Sequence, residues 1–274
     1  MTEAKRKPAT RTIEKQMEIA APVEAVWKAL TDAEELTRWF PLKARVKPGA
    51  GGSVFLSWGP ECEGEAPIDV WEPNRRLRYV ERAPGADRNA QSSMFVEWIL
   101  EARGGKTLLR LANSGFGEGA DWENEYYDSV DCGWGFMLVN LRHYLERHAG
   151  VPRVVAWPRL KVTGSREDAY ERLMGADGLF PESATKKLRE GGRYSARAAS
   201  GEQFSGCVEF VRPPRGFCVT VENLNEALLW LTIEGSPGKH EVQLWLSTYG
   251  VPQEEVDAFR ERWQDCLERT LASA

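Results

Sequence analysis

Residues 121–148 have the sequence DWENEYYDSVDCGWGFMLVNLRHYLERH, and this stretch decides the fold. Its apolar residues recur at helical spacing and fall on one stripe: Val130, Trp134, Met137, Leu138, Leu141 and Leu145. A helix of this length extends roughly 40 Å. It therefore needs one large apolar surface against which to bury the stripe. Gly133 and Gly135 each cost the helix about 1 kcal/mol relative to Ala, which predicts a bend or a close approach to that surface.

The residues ahead of this helix supply such a surface. They predict a strand at 13–20 and two short helices at 22–31 and 33–39, the first of which begins at Pro22. A meander of antiparallel strands follows at 51–58, 64–72, 76–82, 93–102 and 106–115. We therefore predict an α+β helix-grip fold, in which a curved antiparallel sheet wraps round the long C-terminal helix and encloses an apolar cavity.

The chain then repeats this order of features. Gly51-Gly52 and Pro73 recur as Gly191-Gly192 and Pro213 at one common offset, and Trp134 recurs as Trp263. The sequence pattern of the second copy predicts a strand at 159–163 and a helix at 165–174. It then predicts strands at 192–198, 203–212, 216–223, 227–234 and 240–248, and a helix at 253–271. A tandem duplication explains this order. We place the domains at 12–150 and 157–274, with the boundary in 150–157, where Gly150, Pro152 and the following Pro158 interrupt the pattern.

The second copy lacks a counterpart of the Trp39-Phe40 segment, and its final helix is shorter. We therefore expect it to be a packing partner for the first copy rather than a second receptor. Two packed copies can replace the dimer of a single-copy protein. We accordingly expect a monomer, with a dimer as the alternative.

Composition limits the classes of partner. The chain has 274 residues, 42% hydrophobic and 28% charged, which is typical of a globular protein. A net charge of −5 argues against nucleic acid. No apolar run is long enough for a membrane span or follows the basic N-terminal residues as a signal peptide would, so we expect a cytoplasmic protein. The five cysteines are scattered, and we predict neither a metal site nor a cofactor.

Three strings carry a family resemblance: IAAPVEAVWKALTDAEELTRWF (19–40), SGFGEGADWENEY (114–126) and GWGFMLVNLRHYLE (133–146). With them the first copy resembles the START-like (SRPBCC) superfamily, which has the birch-pollen-allergen-like fold. Within that superfamily it is similar to the C-terminal domain of the activator of the ninety-kilodalton heat-shock protein ATPase. The resemblance implies a helix-grip fold with a hydrophobic cavity under the long helix. It implies no reaction, since members include lipid and hormone binders, polyketide cyclases and aromatases, and many bacterial proteins of unknown role.

Strand alternation selects the candidate ligand-binding residues. Trp98 belongs to the same face of its strand as Met94, Val96 and Leu100, and Glu81 shares a face with Tyr79. The candidates are Trp58, Tyr79, Glu81, Trp98, Phe116, Tyr127, Trp134 and Met137. Apolar walls with a few polar groups are typical of small-molecule sites. The alternatives are that the aromatic residues fill a solid core, and that Glu81 is a surface carboxylate at a strand end.

The sequence offers little for catalysis. It has three histidines and no nucleophile, phosphate-binding or zinc-protease motif, so we assign no catalytic residue. The acidic residues around 121–131 suit the positive end of a helix better than a cation site. We predict non-enzymatic binding of an apolar or amphipathic small molecule in the first copy. The alternatives are a stress-related, chaperone-associated interaction protein and a polyketide-cyclase-like enzyme.

Overall fold

A computed structural model describes residues 10–81, 94–117, 120–180, 188–236 and 238–271 of the chain. The chain divides into two compact units, Met1–Gly150 and Val151–Ala274. Each unit combines one curved antiparallel sheet with a long C-terminal helix. The duplicated α+β helix-grip fold is therefore confirmed.

The first unit is a meander closed by its first strand. Its strands are β1 Arg11–Ile19, β2 Lys43–Lys47, β3 Ser53–Ser57, β4 Glu63–Glu72, β5 Arg76–Glu81, β6 Met94–Arg103 and β7 Lys106–Phe116. Its helices are α1 Val23–Thr31, α2 Ala33–Thr37 and α3 Asp121–Arg147. The strand order is β1-β7-β6-β5-β4-β3-β2. Sequence analysis misses β2 because only Ala44 and Val46 separate its charged residues, and both are just half-buried.

Helix α3 packs on one face of this sheet with the second half of its length. Its buried residues begin at Trp134 and end at Tyr144. The facing surface follows the predicted alternation, since Met94, Val96, Trp98 and Leu100 of β6 are buried and the residues between them are partly exposed. Each large apolar side chain buried in this way contributes about 1.5–3 kcal/mol. The interface between helix and sheet thus forms the core of the unit.

Buried hydrogen bonds hold the segment that follows α2 against α3. The Trp39 indole N–H donates to the Ala29 carbonyl at 2.9 Å. The Asn140 amide of α3 donates to the Trp39 carbonyl. Farther along α3, the Tyr144 hydroxyl donates to the Glu35 carboxylate at 2.6 Å. These bonds fix the stacked Trp39–Phe40 pair beneath the helix.

The second unit also has seven strands, but it has two α-helices where the first unit has three. Its strands are β8 Arg153–Ala156, β9 Arg159–Val162, β10 Arg193–Arg197, β11 Gln203–Arg212, β12 Gly216–Val221, β13 Ala227–Ser236 and β14 Lys239–Tyr249. Its helices are α4 Arg166–Met174 and α5 Gln253–Leu271, and a short 3-10 turn covers Glu222–Leu224. The order is β10-β11-β12-β13-β14, and both β8 and β9 pair with β14. In the part that the structure describes, no counterpart of α2 or β2 occurs.

Strand β8 lies inside the segment 150–157 that the sequence predicts as the domain boundary. It pairs with β14 from Ala156 to Arg153, so the second unit includes residues ahead of the predicted start at 157. Pro152 and Pro158 stand on either side of the strand rather than within it. Proline at these positions removes no hydrogen bond from the ladder, which is why a pattern of prolines hides a strand here.

Each unit has, within itself, the same backbone hydrogen bonds at equivalent positions. The turn at Gly51–Gly52 exchanges two hydrogen bonds with Ile68, at 2.9 and 3.0 Å. The turn at Gly191–Gly192 exchanges two with Val208, both at 2.8 Å. A register shift follows directly after Ile68 in β4 and directly after Val208 in β11. The repeat found in the sequence is thus a repeat of backbone geometry.

The glycines within α3 give a stability prediction. A Cβ atom added at Gly133 or Gly135 would meet nothing within 4 Å beyond the neighbouring helix backbone, so the expected close approach to the sheet is wrong. Gly135→Ala should therefore raise the free energy of unfolding by up to about 1 kcal/mol, because alanine loses less backbone entropy in a helix. Urea unfolding followed by circular dichroism measures this.

Gly52→Ala is the matched control for this prediction. Its new Cβ would lie 1.9 Å from the Lys47 carbonyl oxygen, so this variant should be clearly destabilised. A loss of stability in Gly135→Ala as well would show that α3 needs a glycine for its path.

Candidate functional site

The inner face of strands β5, β6 and β7 forms the candidate site. Tyr79 of β5 pairs with Val96 of β6, and Val96 pairs with Asn113 of β7. Residues directly opposite in neighbouring strands point to the same side of a sheet. Glu81, two positions after Tyr79, therefore belongs to the inner face at the end of β5.

Aromatic rings cover this face in a continuous series. Trp98 packs edge-on against Trp134 of α3, with ring centroids 5.4 Å apart. Trp134 stacks with Phe40 at 5.3 Å, and Phe40 meets Trp58 edge-on at 5.0 Å. Trp39 closes the group through edge contact with Trp98 at 6.3 Å. Spacings of this kind leave no room for a ligand between these rings, so this part of the unit is solid core.

Asn113 is a buried polar residue within this apolar face. Its amide oxygen accepts a hydrogen bond from the Trp134 indole N–H at 2.9 Å. Its amide nitrogen donates to the Phe95 carbonyl at 3.1 Å. These two bonds fix the orientation of the Asn113 side chain. The predicted set omits Asn113, although it follows Leu109 and Leu111 in the inward series of β7.

Glu81 is the titratable group of the site. Burial raises the pKa of its carboxyl to about 7, and the neighbouring Asn113 side chain opposes that shift. Among the described residues, no lysine or arginine contributes to this pKa. Desolvation disfavours the charged form of a carboxyl. Near neutral pH, Glu81 therefore exists as a mixture of a neutral hydrogen-bond donor and an anion.

Two tyrosines respond to Glu81. Burial, and then the charge of Glu81, raise the pKa of the Tyr79 hydroxyl, while a hydrogen bond with Trp98 opposes the shift. Burial raises the pKa of Tyr126 of α3 to about 12, with contributions from Glu81 and Cys62. Both hydroxyls therefore stay protonated at physiological pH. Glu81, Tyr79 and Tyr126 form one electrostatically coupled group.

Phe116 connects this group to the first turns of α3. Its ring lies 5.6 Å from that of Tyr126 and 5.3 Å from that of Tyr127. Tyr127 is turned outward, since its hydroxyl donates to the Thr12 carbonyl at 3.3 Å and the Arg11 guanidinium lies 4.3 Å from its ring centre. Tyr126 thus takes the inner position, and Tyr127 forms the rim.

The first half of α3 is less buried than the second half. Residues 121–133 are exposed or half-buried, whereas the buried residues of the helix begin at Trp134. Elements with few buried apolar contacts open at low cost in free energy. We define the Glu81 site as Tyr79, Glu81, Asn113, Phe116 and Tyr126. Among the described residues of the first unit, polar and aromatic groups of the core meet here beneath the less buried half of α3.

Comparison with known proteins finds a family resemblance in the first unit. A family model described as "Activator of Hsp90 ATPase homolog 1-like protein" matches residues 20–146. Over these residues the first unit is similar to this family. Its family model ends within α3, so the second unit lies outside the match. The search of curated proteins gave no match.

Several solved structures are similar to this chain. Protein MLL2253 of Mesorhizobium loti is 26% identical, with a TM-score of 0.43, over 50% of this chain and 98% of that one. The Aha1 dimer of Colwellia psychrerythraea is 19% identical, with a TM-score of 0.43, over 51% and 99%. The di-domain ARO/CYC BexL from the BE-7585A biosynthetic pathway is 14% identical, with a TM-score of 0.44, over 96% of both chains. Similarity of this degree does not transfer a ligand or a reaction to this chain.

The structure brings together part of the predicted ligand-binding set. Tyr79, Glu81 and Trp98 share the inner face, as the alternation predicts, and Trp134 of α3 contacts that face through Asn113. Trp58 lies at the far end of the aromatic series, and Met137 is buried on α3. The role of all eight candidates in binding stays a prediction. The predicted set omits Asn113, Phe40 and Tyr126, although two of the strings that carry the resemblance end on Phe40 and Tyr126.

The remaining polar groups have structural roles. Glu123, in the first turn of α3, accepts a hydrogen bond from the Ala120 N–H at 3.1 Å, and Asp131 pairs with Lys15 at 2.7 Å. His148 is the C-cap residue of α3. Across the described ranges, no cluster of three or more His, Cys, Asp or Glu side chains is arranged to hold a metal ion. Nor does any helix there have the length and hydropathy needed to cross a membrane.

Proposed function

We propose that the first unit binds an apolar or amphipathic small molecule at the Glu81 site and releases it unchanged. The observation that carries the proposal is Glu81, a carboxyl whose pKa is raised by burial with no described cation to offset it. Burying an uncompensated carboxyl costs free energy. Strongly shifted titratable groups are concentrated at functional sites for this reason.

The surroundings of Glu81 suit such a ligand. Phe116 and Tyr79 supply buried apolar walls, and Tyr126 is half-buried at the edge. Glu81 and Asn113 supply a small number of convergent polar groups, which is the usual composition of a small-molecule site. The incompletely buried first half of α3 provides the entrance. The similarity to this family supports a ligand-binding fold for this unit.

Binding of 2-naphthol to the full chain tests the proposal, because this neutral probe combines two fused aromatic rings with one hydroxyl. We expect backbone amide NMR shifts centred on Glu81, Asn113 and Tyr126. Tyr126→Trp should fill the space beside Phe116 and weaken binding at least about tenfold, a loss of about 1.4 kcal/mol. The probe should be recovered chemically unchanged.

Trp122→Ala is the matched control for this titration. Trp122 lies in the first turn of α3 but is 55% exposed, so its loss should leave affinity unchanged. The proposal fails if the shifts map to another part of the chain, or if Tyr126→Trp and Trp122→Ala bind the probe as tightly as the unchanged protein.

A second candidate function is proton transfer on a bound substrate. The observation that favours it is the same carboxyl, since a pKa of about 7 is close to the optimum for general acid–base catalysis at neutral pH. Any turnover by this candidate must disappear in Glu81→Gln and must change with pH near 7. A reaction with those two properties would make the first unit a cyclase-like enzyme rather than a receptor.

The chaperone-associated role and the cytoplasmic location both stay predictions. The family description refers to an activator of a chaperone ATPase. No contact within the described residues favours a protein partner over a small molecule. The small-molecule proposal therefore takes precedence.

A further inference from the structure

A cavity of about 200 Å³ lies in the second unit, between the start of α5 and the sheet. Its apolar wall consists of Phe204, Leu224, Leu246, Val251, Val256 and Phe259. A cavity of about 150 Å³ with apolar walls is large enough for benzene. The cavity in the second unit therefore has room for a single ring with a short substituent. It reaches the surface, since Asn223 and Glu255 in its wall are exposed.

The one arginine of the cavity wall is fully engaged. The Arg262 guanidinium donates two hydrogen bonds to a single carboxylate oxygen of Glu202, at 2.9 and 2.6 Å. The other oxygen of Glu202 accepts from the Trp263 indole N–H at 3.2 Å. The positive charge of Arg262 is thus balanced within the wall. An anionic ligand would have to break this pair in order to use it.

The polar atoms that remain at the cavity are acceptors. Asn223 uses its amide nitrogen to donate to the Gln203 carbonyl at 2.9 Å, which leaves its amide oxygen. Thr248 uses its hydroxyl hydrogen on the Val154 carbonyl at 2.9 Å. Among the described residues, the Glu255 carboxylate takes part in no hydrogen bond or ion pair. A ligand that donates hydrogen bonds and carries positive charge fits this arrangement.

The dipole of helix α5 disfavours a cation at the start of the helix, but two glutamates in the first turn outweigh this effect. The start of α5 behaves as roughly half a positive charge. Glu254 and Glu255 place two full negative charges in the same turn. The net field at the mouth of the cavity is therefore negative, and Glu255 is the member of the pair that lines it.

The loop that forms one wall has an unusual backbone. Asn225 and Glu226 both adopt the left-handed conformation, with φ of 52° and 58°. Such residues cost about 1 kcal/mol or more each and are concentrated at ligand sites. A hydrogen bond of 2.8 Å from the Asn225 amide to the Tyr249 carbonyl holds the loop in place. This conformation sets the position of Asn223 and Leu224 beside the cavity.

We propose that this cavity is a second ligand site, which binds a small amine with one aromatic ring or a short branched chain. The ring lies against Phe204 and Phe259, and the ammonium group meets Glu255 and the Asn223 amide oxygen. The inference is independent of the Glu81 site, because every residue of this cavity belongs to the second unit. It also replaces the expectation that the second copy serves only as a packing partner.

Three probes of one size and different charge test this proposal on the full chain: benzylamine, benzyl alcohol and benzoate. We expect methyl NMR shifts at Val251, Val256 and Leu246 with benzylamine, weaker shifts with benzyl alcohol and none with benzoate. Ala258→Phe should fill the cavity and weaken benzylamine binding at least about tenfold. Glu255→Gln should reduce the preference for the amine over the alcohol about threefold, as expected for one exposed charge.

Glu254→Gln is the matched control, since Glu254 is the neighbouring charge in the same turn and does not line the cavity. It should keep the preference for benzylamine. The proposal is overturned if benzylamine shifts none of the three methyl groups, if benzoate binds as well as benzylamine, or if Ala258→Phe leaves the affinity unchanged.

Discussion

Glu81→Gln is expected to stabilise the protein at about pH 8 and to have little effect at about pH 5. The folded pKa of Glu81 is about 7, above its ordinary value of 4.5. Between pH 4.5 and 7, the Glu81 carboxyl is therefore mostly protonated in the folded protein and mostly ionised in the unfolded chain. The stabilising contribution of the neutral carboxyl is complete below about 4.5 and is lost as the pH rises through 7.

The size of this effect has an upper limit of about 3 kcal/mol, set by the difference between the two pKa values. Glu81 is partly exposed, which reduces the effect below that limit. Glutamine keeps the shape and has no charge to bury, so the variant should lose the pH dependence that Glu81 causes. Urea unfolding at about pH 5, 6.5 and 8 measures the difference between the two proteins.

Glu101→Gln provides the comparison for this experiment. Arg103 lowers the pKa of the Glu101 carboxyl by hydrogen bonding on the exposed end of β6. The ionised Glu101 carboxylate therefore contributes to stability above the pKa that Glu101 has in the unfolded chain. Glu101→Gln should accordingly not be more stable than the unchanged protein at high pH. Equal behaviour of the two variants between about pH 5 and 8 would contradict the assignment of Glu81 as a buried carboxyl.

Trp98→Ala is expected to destabilise the first unit by about 3–5 kcal/mol, the range for loss of a fully buried aromatic side chain. Trp98 is 2% exposed and contacts both Trp39 and Trp134. Its indole also hydrogen-bonds with Tyr79. Truncation would leave a large cavity at the centre of the aromatic series and an unpaired hydroxyl beside it. Both losses add to the cost.

Hydrogen exchange followed peptide by peptide measures this loss within the first unit alone. Peptides from β5, β6 and β7 should lose protection in Trp98→Ala. Trp122→Ala removes the same side chain from a position that is 55% exposed, and it should change protection little. If the two variants behave alike, Trp98 is not a core residue.

Much of this fold is predictable because its strands alternate and its long helices have one apolar stripe. Met94, Val96, Trp98 and Leu100 are all buried, as their spacing requires. Glu81 was assigned to the same face as Tyr79 by the same argument, and its shifted pKa agrees with that position. In a strand with one buried face, the alternation of apolar residues therefore predicts which side chains face the core.

The features that escape prediction depend on residues distant in sequence. The cavity of the second unit combines Phe204 of β11, Leu246 of β14 and Phe259 of α5 with the loop around Asn223. No local pattern marks these positions as neighbours. The solid packing of Trp39, Phe40 and Trp134 is equally invisible, because periodicity shows which residues face inward and not whether they fill the space.

The hairpin tips of the two units have a consequence for how such a chain can change. Arg75 N–H closes one tip on the Glu72 carbonyl at 3.0 Å, and Arg215 N–H closes the other on Arg212 at 2.7 Å. The Arg75 carbonyl accepts from the Leu100 N–H of β6 at 2.8 Å. The Arg215 carbonyl accepts from the Ile233 N–H of β13, also at 2.8 Å. Segments 72–75 and 212–215 are thus held by the same donors and acceptors although their side chains differ. The sheet therefore fixes the two ends of each tip, whereas the residues between those ends can differ in sequence and in backbone conformation, as Asn74 with φ of 60° and the cis Pro213-Pro214 bond do.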